Sequence, residues 1–233
     1  MGEAILFALV ASAALPLGAL IGVWSPPRRA VTAALLGFAS GALITAVAFE
    51  LFEKAFVQGG AWRAGIAFFA GATAFVVVDG WLERRNERRR ARGSVVGLAL
   101  LAGVTLDGVP ENLAMGVALL EGSAVTLLVA IFASNLPEAI VGAEKMRDDL
   151  GKGEIVLVWS VTAALLAVPV VVGYAALEGV GEDALAWPLG FAAGAVLASL
   201  ADTLMPEAFG EGGPPVAYAT ALGFLASFLI SAA

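Results

Sequence analysis

The chain has 233 residues, 60% of them hydrophobic and 14% charged, with a mean hydropathy of +0.92 and a formal charge of −7. A soluble domain of this length has too little interior to hide so much apolar surface, so lipid must take the remainder and an all-α integral membrane protein is expected. With no Cys and no His, disulfides, thiolate metal sites, haem ligation and an imidazole-based zinc site are excluded; an internal metal would have to be held by oxygen or by Met sulfur.

The first apolar run, Ala4 to Val10 followed by Ala11-Ser12-Ala13, imitates a signal peptide. No Lys or Arg precedes it, Glu3 has the wrong sign, and the run continues to Trp24. It reads as a first membrane span, with cleavage as the alternative. Runs of spanning length then predict eight transmembrane helices near 4–24, 31–55, 62–82, 95–119, 122–144, 155–177, 184–205 and 214–232. The third, fourth and fifth carry charges, which the bilayer interior penalises unless pairing or function retains them. The 28 glycines let helices approach closely where no water drives them together. Faces such as Gly37 with Gly41, and Gly190 with Gly194, suit packing within the chain or a homodimer equally well.

Eleven of the thirteen basic residues fall on one side of these spans: Arg28, Arg29, Arg84, Arg85, Arg88, Arg89, Arg90, Arg92, Lys145, Arg147 and Lys152. Only Lys54 and Arg63 fall on the other. The positive-inside rule makes the first side cytoplasmic and puts both termini on the extracytoplasmic side of a cell membrane. The Arg run beside a span reads as a topology determinant or lipid-contact segment, and no nucleic-acid partner is expected.

Spans two and seven share a sequence. Gly37 to Gly60 reads GFASGALITAVAFELFEKAFVQGG, and Gly190 to Gly213 reads GFAAGAVLASLADTLMPEAFGEGG, with 11 of 24 positions identical. They are five spans apart and so cross in opposite directions, the mark of an inverted repeat. A second echo lies between them: Asp107-Gly-Val-Pro-Glu-Asn in span four resembles Ser134-Asn-Leu-Pro-Glu-Ala in span five. The expected architecture is three spans, a central pair, then three inverted spans. The site of such a fold lies near the midplane, here on spans four and five.

Asp107 and Glu111 are four apart and share a helix face; so do Ser134 and Glu138, with Asn135 adjacent. If the two helices pack together, three carboxylates and two neutral oxygen donors converge. Ionised carboxylates in such a site need a cation or protons to compensate them. Hard oxygen ligands suit Mg²⁺, Mn²⁺ or Ca²⁺ and hold Zn²⁺, Fe²⁺ or Cd²⁺ less selectively. Pro110 deprives the carbonyl of Leu106 of its helical donor, and Pro137 does the same to Ala133. Ordinary kinks with structural acids are the simpler reading of one such motif; two antiparallel copies favour a site.

The remaining polar positions carry weaker signals. Glu50 and Asp202 are nearly equivalent in the repeat and either line a pathway or sit solvated at the interfaces. Asp79 reads as interfacial beside Arg84, Glu53 and Glu207 as headgroup-level residues. Ser160 and Thr162 are expected to bond to their own helix. Glu178, Glu182 and Asp183 form an acidic outer turn.

These residues resemble the ZIP (Zrt/Irt-like) family of divalent metal-ion transporters, especially its prokaryotic GufA-like branch. The family has eight spans in a three-two-three arrangement, with His-Asn-x-Pro-Glu-Gly in the fourth and a related Pro-Glu-Gly or His-x-x-x-Glu motif in the fifth. The resemblance covers essentially the whole chain. It implies that Asp107 replaces the family's His, Gly108 its Asn, and that Glu111 and Glu138 match its glutamates. Asn112 stands where Gly is usual, Ser134 and Asn135 where Gln or His and Asp are common, and Leu43 where some members supply Met. Span six offers no acid, and the His-rich cytoplasmic loop is reduced to an Arg-rich connector. These replacements imply a mononuclear site of harder character, without the second site that Gly108, Asn135 and a span-six acid would have to form.

The resemblance implies a secondary transporter that carries a divalent metal into the cytoplasm as its substrate, with no prosthetic group and no enzymatic activity. No G-x-x-x-x-G-K-[ST] motif is present for ATP-driven pumping. The alternatives are a related protein that binds or senses metal without moving it, and, remotely, an intramembrane hydrolase with an acid dyad, for which the Gly-x-Gly-Asp pattern is missing.

Overall fold

The protein's structure is a computed structural model that describes residues 1–90, 96–122 and 124–232. Arg92 of the basic run and residue 95, where the fourth span was expected to start, lie outside the described residues. The described chain is helical apart from short connecting turns, with no strand. In order it forms α1 (Gly2–Trp24), α2 (residues 29–59), α3 (61–90), α4 (96–121), α5 (Ala124–Lys145), α6 (Lys152–Leu177), α7 (182–212) and α8 (Val216–Ser231). In lipid this is the economical answer, because a helix satisfies its own backbone hydrogen bonds.

Among the described residues, five segments are long and apolar enough to cross a membrane: Gly2–Trp24, Arg29–Arg84, Ala124–Lys145, Lys152–Leu177 and Asp183–Gly212. An all-helical chain with five such segments is a multi-pass membrane protein. Its outer face agrees, since Leu6, Phe69, Val77, Leu165 and Leu229 are each more than half exposed. The segment Arg29–Arg84 has 56 residues, which as one rod would measure ~84 Å against a hydrocarbon core of about 30 Å. Gly60 breaks it with φ 73° and ψ 170°, a conformation essentially confined to glycine. The same geometry recurs at Gly213, with φ 66° and ψ −157°.

The helices sort into two groups. α1 lies along α5 and α6, and α4 along α6; α2 lies along α8, and α3 along α7. Contacts of α2 with α5 and of α4 with α7 join the groups. Glycine sets the closest approaches. Gly18 and Gly22 of α1 face the backbone of α5 at Leu136 and Ile140, and Gly142 leaves room for the buried ring of Trp159. Each would lose its contact if it carried a Cβ.

The two matching stretches, in α2 and α7, make similar close contacts. Gly41 abuts the carbonyl of Thr220 on α8, and its counterpart Gly194 abuts the carbonyl of Phe68 on α3. The Phe38 carbonyl faces Gly223, and the Phe191 carbonyl faces Gly71. Gly59 at the end of α2 meets Ala186 at the start of α7, while Gly212 at the end of α7 meets Ala33 at the start of α2. The last two contacts exchange under the repeat, and they require α2 and α7 to run antiparallel. Both helices also widen at the same point into a π-helical turn, Ala46–Phe52 in α2 and Leu200–Leu204 in α7. The glycine faces left open by the sequence, Gly37, Gly41, Gly190 and Gly194, are therefore used within the chain.

Both ends of the bundle are tied by polar contacts. At one end Gln58 donates to Glu121 at 2.6 Å, and Arg63 pairs with Asp183 at 4.0 Å. At the other, Lys145 pairs with Glu207 at 3.0 Å and the Lys152 ammonium lies 5.7 Å from the Trp24 ring. α6 starts there on a capping contact, the Gly151 N–H donating to the Glu154 carboxylate at 2.9 Å.

Candidate functional site

α4 and α5 each carry a proline without leaving the helical path. The face of α5 bearing Leu136, Ala139 and Ile140 is pressed on α1, which turns Glu138 roughly to the opposite side of the helix. On α4, Asp107 and Glu111 are 8% and 5% exposed. Glu138 is half-buried.

The carboxyls of Asp107, Glu111 and Glu138 lie within electrostatic reach of one another, and Glu138 also feels Glu207. Among the described residues no Lys or Arg pairs with any of the three; the ion pairs there engage Glu50, Asp183 and Glu207 instead. Nor do three acidic side chains among the described residues stand close enough together to hold a metal ion. Asp107 is drawn toward α7, where the Ser199 hydroxyl donates to its Oδ1 at 2.9 Å and Thr203 lies beside it. The convergence expected of five side chains is thus a gathering of charges, with Asp107 anchored across the seam between the two helix groups.

The neutral candidates are buried. Ser134, fully buried, donates to the Ile131 carbonyl of its own helix at 3.0 Å. Asn135 is 2% exposed, and its Nδ2 has no hydrogen-bond partner. Asn112 donates through Nδ2 to the Gly108 carbonyl at 2.8 Å and leaves its buried Oδ1 unpartnered. Polar atoms buried in this way are uncommon in folded proteins. Gly108 faces the side chain of Leu166 on α6.

The outlying candidates have other engagements. Glu50 is held by Lys54 at 3.3 Å and accepts from Ser231 at 2.6 Å, at the end of the bundle away from the Arg run. Asp202 is exposed and meets the carboxyl of Asp79 on α3. Leu43 is packed into the main apolar core. Ser160 and Thr162 donate to Val156 and Val158, one turn back on their own helix, as expected.

Ser199, Thr203 and the orphaned Oδ1 of Asn112 were not among the sequence candidates. For Ser199 and Thr203 no sequence signal exists, since a hydroxyl in a transmembrane helix ordinarily bonds to its own backbone. Asn112 did carry one: a full amide directly after the Pro-Glu pair of a membrane segment.

No protein-family model and no curated protein matches this chain.

Proposed function

We propose that the chain is a ZIP-like secondary transporter of eight spans in a three-two-three inverted arrangement. It moves one divalent cation at a time through a carboxylate site formed by Asp107, Glu111 and Glu138. Both termini then lie on the extracytoplasmic side of the cell membrane and the Arg run on the cytoplasmic side. The observation that carries this reading is the burial of Asp107 and Glu111, with Glu138 within electrostatic reach, and without a basic partner among the described residues. Acids in that setting need a proton or a cation as compensation.

Further support comes from the seam. Asp107 belongs to the group α1, α4, α5 and α6, yet its partner Ser199 belongs to the other group. A cation that draws Asp107 away from Ser199 toward Glu111 would loosen one group from the other, which is the coupling that alternating access requires. The exchanged contacts of α2 and α7 support the inverted repeat. Leu166 over Gly108 puts an apolar side chain where a second metal site would need ligands, so one cation per chain is expected. An all-oxygen ligand set ranks Mn²⁺ closer to Zn²⁺ than an imidazole site would.

Equilibrium dialysis of purified protein against Mn²⁺, Zn²⁺, Cd²⁺, Co²⁺ and Fe²⁺ tests the site. The expected result is one saturable cation per chain. Two cations per chain would contradict the mononuclear assignment, and none would remove the site.

A further inference from the structure

A crevice of about 540 Å³ opens between α3 and α4, with α7 at its floor. Its walls are Phe75, Val78 and Leu82 on one side and Leu101, Val109 and Pro110 on the other. Among the described lining residues the one polar side chain, Thr105, is satisfied by its own helix, donating to the Leu101 carbonyl at 2.7 Å. Val78 and Val109 are 43% and 42% exposed, so the crevice is open sideways, where a membrane protein meets lipid. Water has no reason to stay there, because it would find almost no hydrogen-bond partners. The volume falls in the range of ligand pockets, roughly 300–1,000 Å³.

Charge identifies the occupant. On α3 the lining positions 71, 75, 78 and 82 form one helical stripe. Continued by the same spacing it reaches Arg85 and Arg89, within six arginines between positions 84 and 92. An apolar slot that runs toward the basic end of its own helix matches a molecule with a fatty chain and a negative head. We propose that one acyl chain of an anionic phospholipid, drawn from the leaflet on the basic side of the bundle, occupies the α3–α4 crevice, with its headgroup on the face of Arg85 and Arg89.

The occupant touches both helix groups, since α3 belongs to one and α4 to the other. It also touches Pro110, the residue before Glu111. A filled slot would hold α4 against α3 at the height of the candidate site. The inference does not depend on cation transport.

The test is native mass spectrometry of protein released from micelles containing phosphatidylglycerol and phosphatidylcholine of identical acyl chains. One phosphatidylglycerol per chain is expected to be retained in preference to phosphatidylcholine. Ala74→Trp, which fills the crevice from α3, should abolish retention. Arg85→Gln with Arg89→Gln should lower the preference by roughly 30-fold, from the loss of two basic residues at an anionic surface. Equal retention of the two lipids by the wild type would overturn the proposal. So would full retention in Ala74→Trp, or an undiminished preference in the double arginine variant. If Ala74→Trp does not fold, the arginine variant decides alone.

Discussion

Replacing Glu111 or Glu138 with glutamine is expected to lower the affinity of the purified protein for a divalent cation by more than about 100-fold. Loss of an outer partner of a metal ligand already weakens binding roughly 10- to 100-fold, and here a proposed ligand itself loses its charge. Glutamine keeps the shape and most of the contacts, so packing cannot account for the loss. The stability readout moves the other way. Glu111 sits among Asp107 and Glu138 with no Lys or Arg paired to it among the described residues, and removing one of three mutually repelling carboxyls relieves the apo protein. Thermal unfolding without metal should therefore occur at the same or a higher temperature in Glu111→Gln. Added metal, which stabilises the wild type by binding its folded state, should do little for the variant. A control is available in Glu50→Gln. Glu50 is tied to Lys54 and Ser231, and its loss should leave affinity unchanged. Dialysis and melting curves check both. Wild-type affinity in both Glu111→Gln and Glu138→Gln would remove the proposed ligands, whereas a lower melting point with normal affinity would make the acids structural.

The second large effect is on stability. Gly41→Val and Gly194→Val should each destabilise the folded protein by at least about 1–3 kcal/mol, the usual range for overpacking, and by similar amounts. In each case the added carbons enter space held by a backbone carbonyl of the neighbouring helix, Thr220 for Gly41 and Phe68 for Gly194. Backbone cannot rotate away as a side chain can, so the helix pair must part. Gly210 supplies the contrast, because nothing lies within 4 Å of a Cβ placed there. Gly210→Ala should be neutral or stabilising by up to about 1 kcal/mol through helix propensity. Unfolding in one detergent, followed by circular dichroism, measures all three. Equal melting of Gly194→Val and the wild type would contradict the close α3–α7 approach.

Much of this was legible in the sequence, for identifiable reasons. Hydropathy marks helical segments because lipid admits almost nothing else, and among the described residues most of each expected run is helical, the eighth only over Val216–Ser231. The likeness of the two stretches was visible because similar close contacts use the same residues twice: Gly at 41 and 194, Phe at 38 and 191, Gly-Gly at 59–60 and 212–213. Partners supplied by distant helices were not legible. Nothing local marks Ser199 as the donor to Asp107, Ser231 as the donor to Glu50, or Asp202 as the neighbour of Asp79. The π-helical turns were silent too, since one extra residue in a turn leaves hydropathy unchanged. The sequence weighed intrachain packing and a homodimer equally for the glycine faces. The choice needed the helix pairs, α2 with α8 and α3 with α7, that only the tertiary structure supplies.

The central claim is that the three carboxylates form a transport site, and uptake into sealed vesicles tests it most directly. Wild-type protein and Glu111→Gln are reconstituted at equal density and orientation, and accumulation of Mn²⁺, Zn²⁺, Cd²⁺, Co²⁺ and Fe²⁺ is followed over time. Saturable accumulation by the wild type and none above empty vesicles by Glu111→Gln is the predicted result. No accumulation of any metal by wild-type protein that binds one cation per chain would contradict transport and leave a protein that holds a metal without moving it.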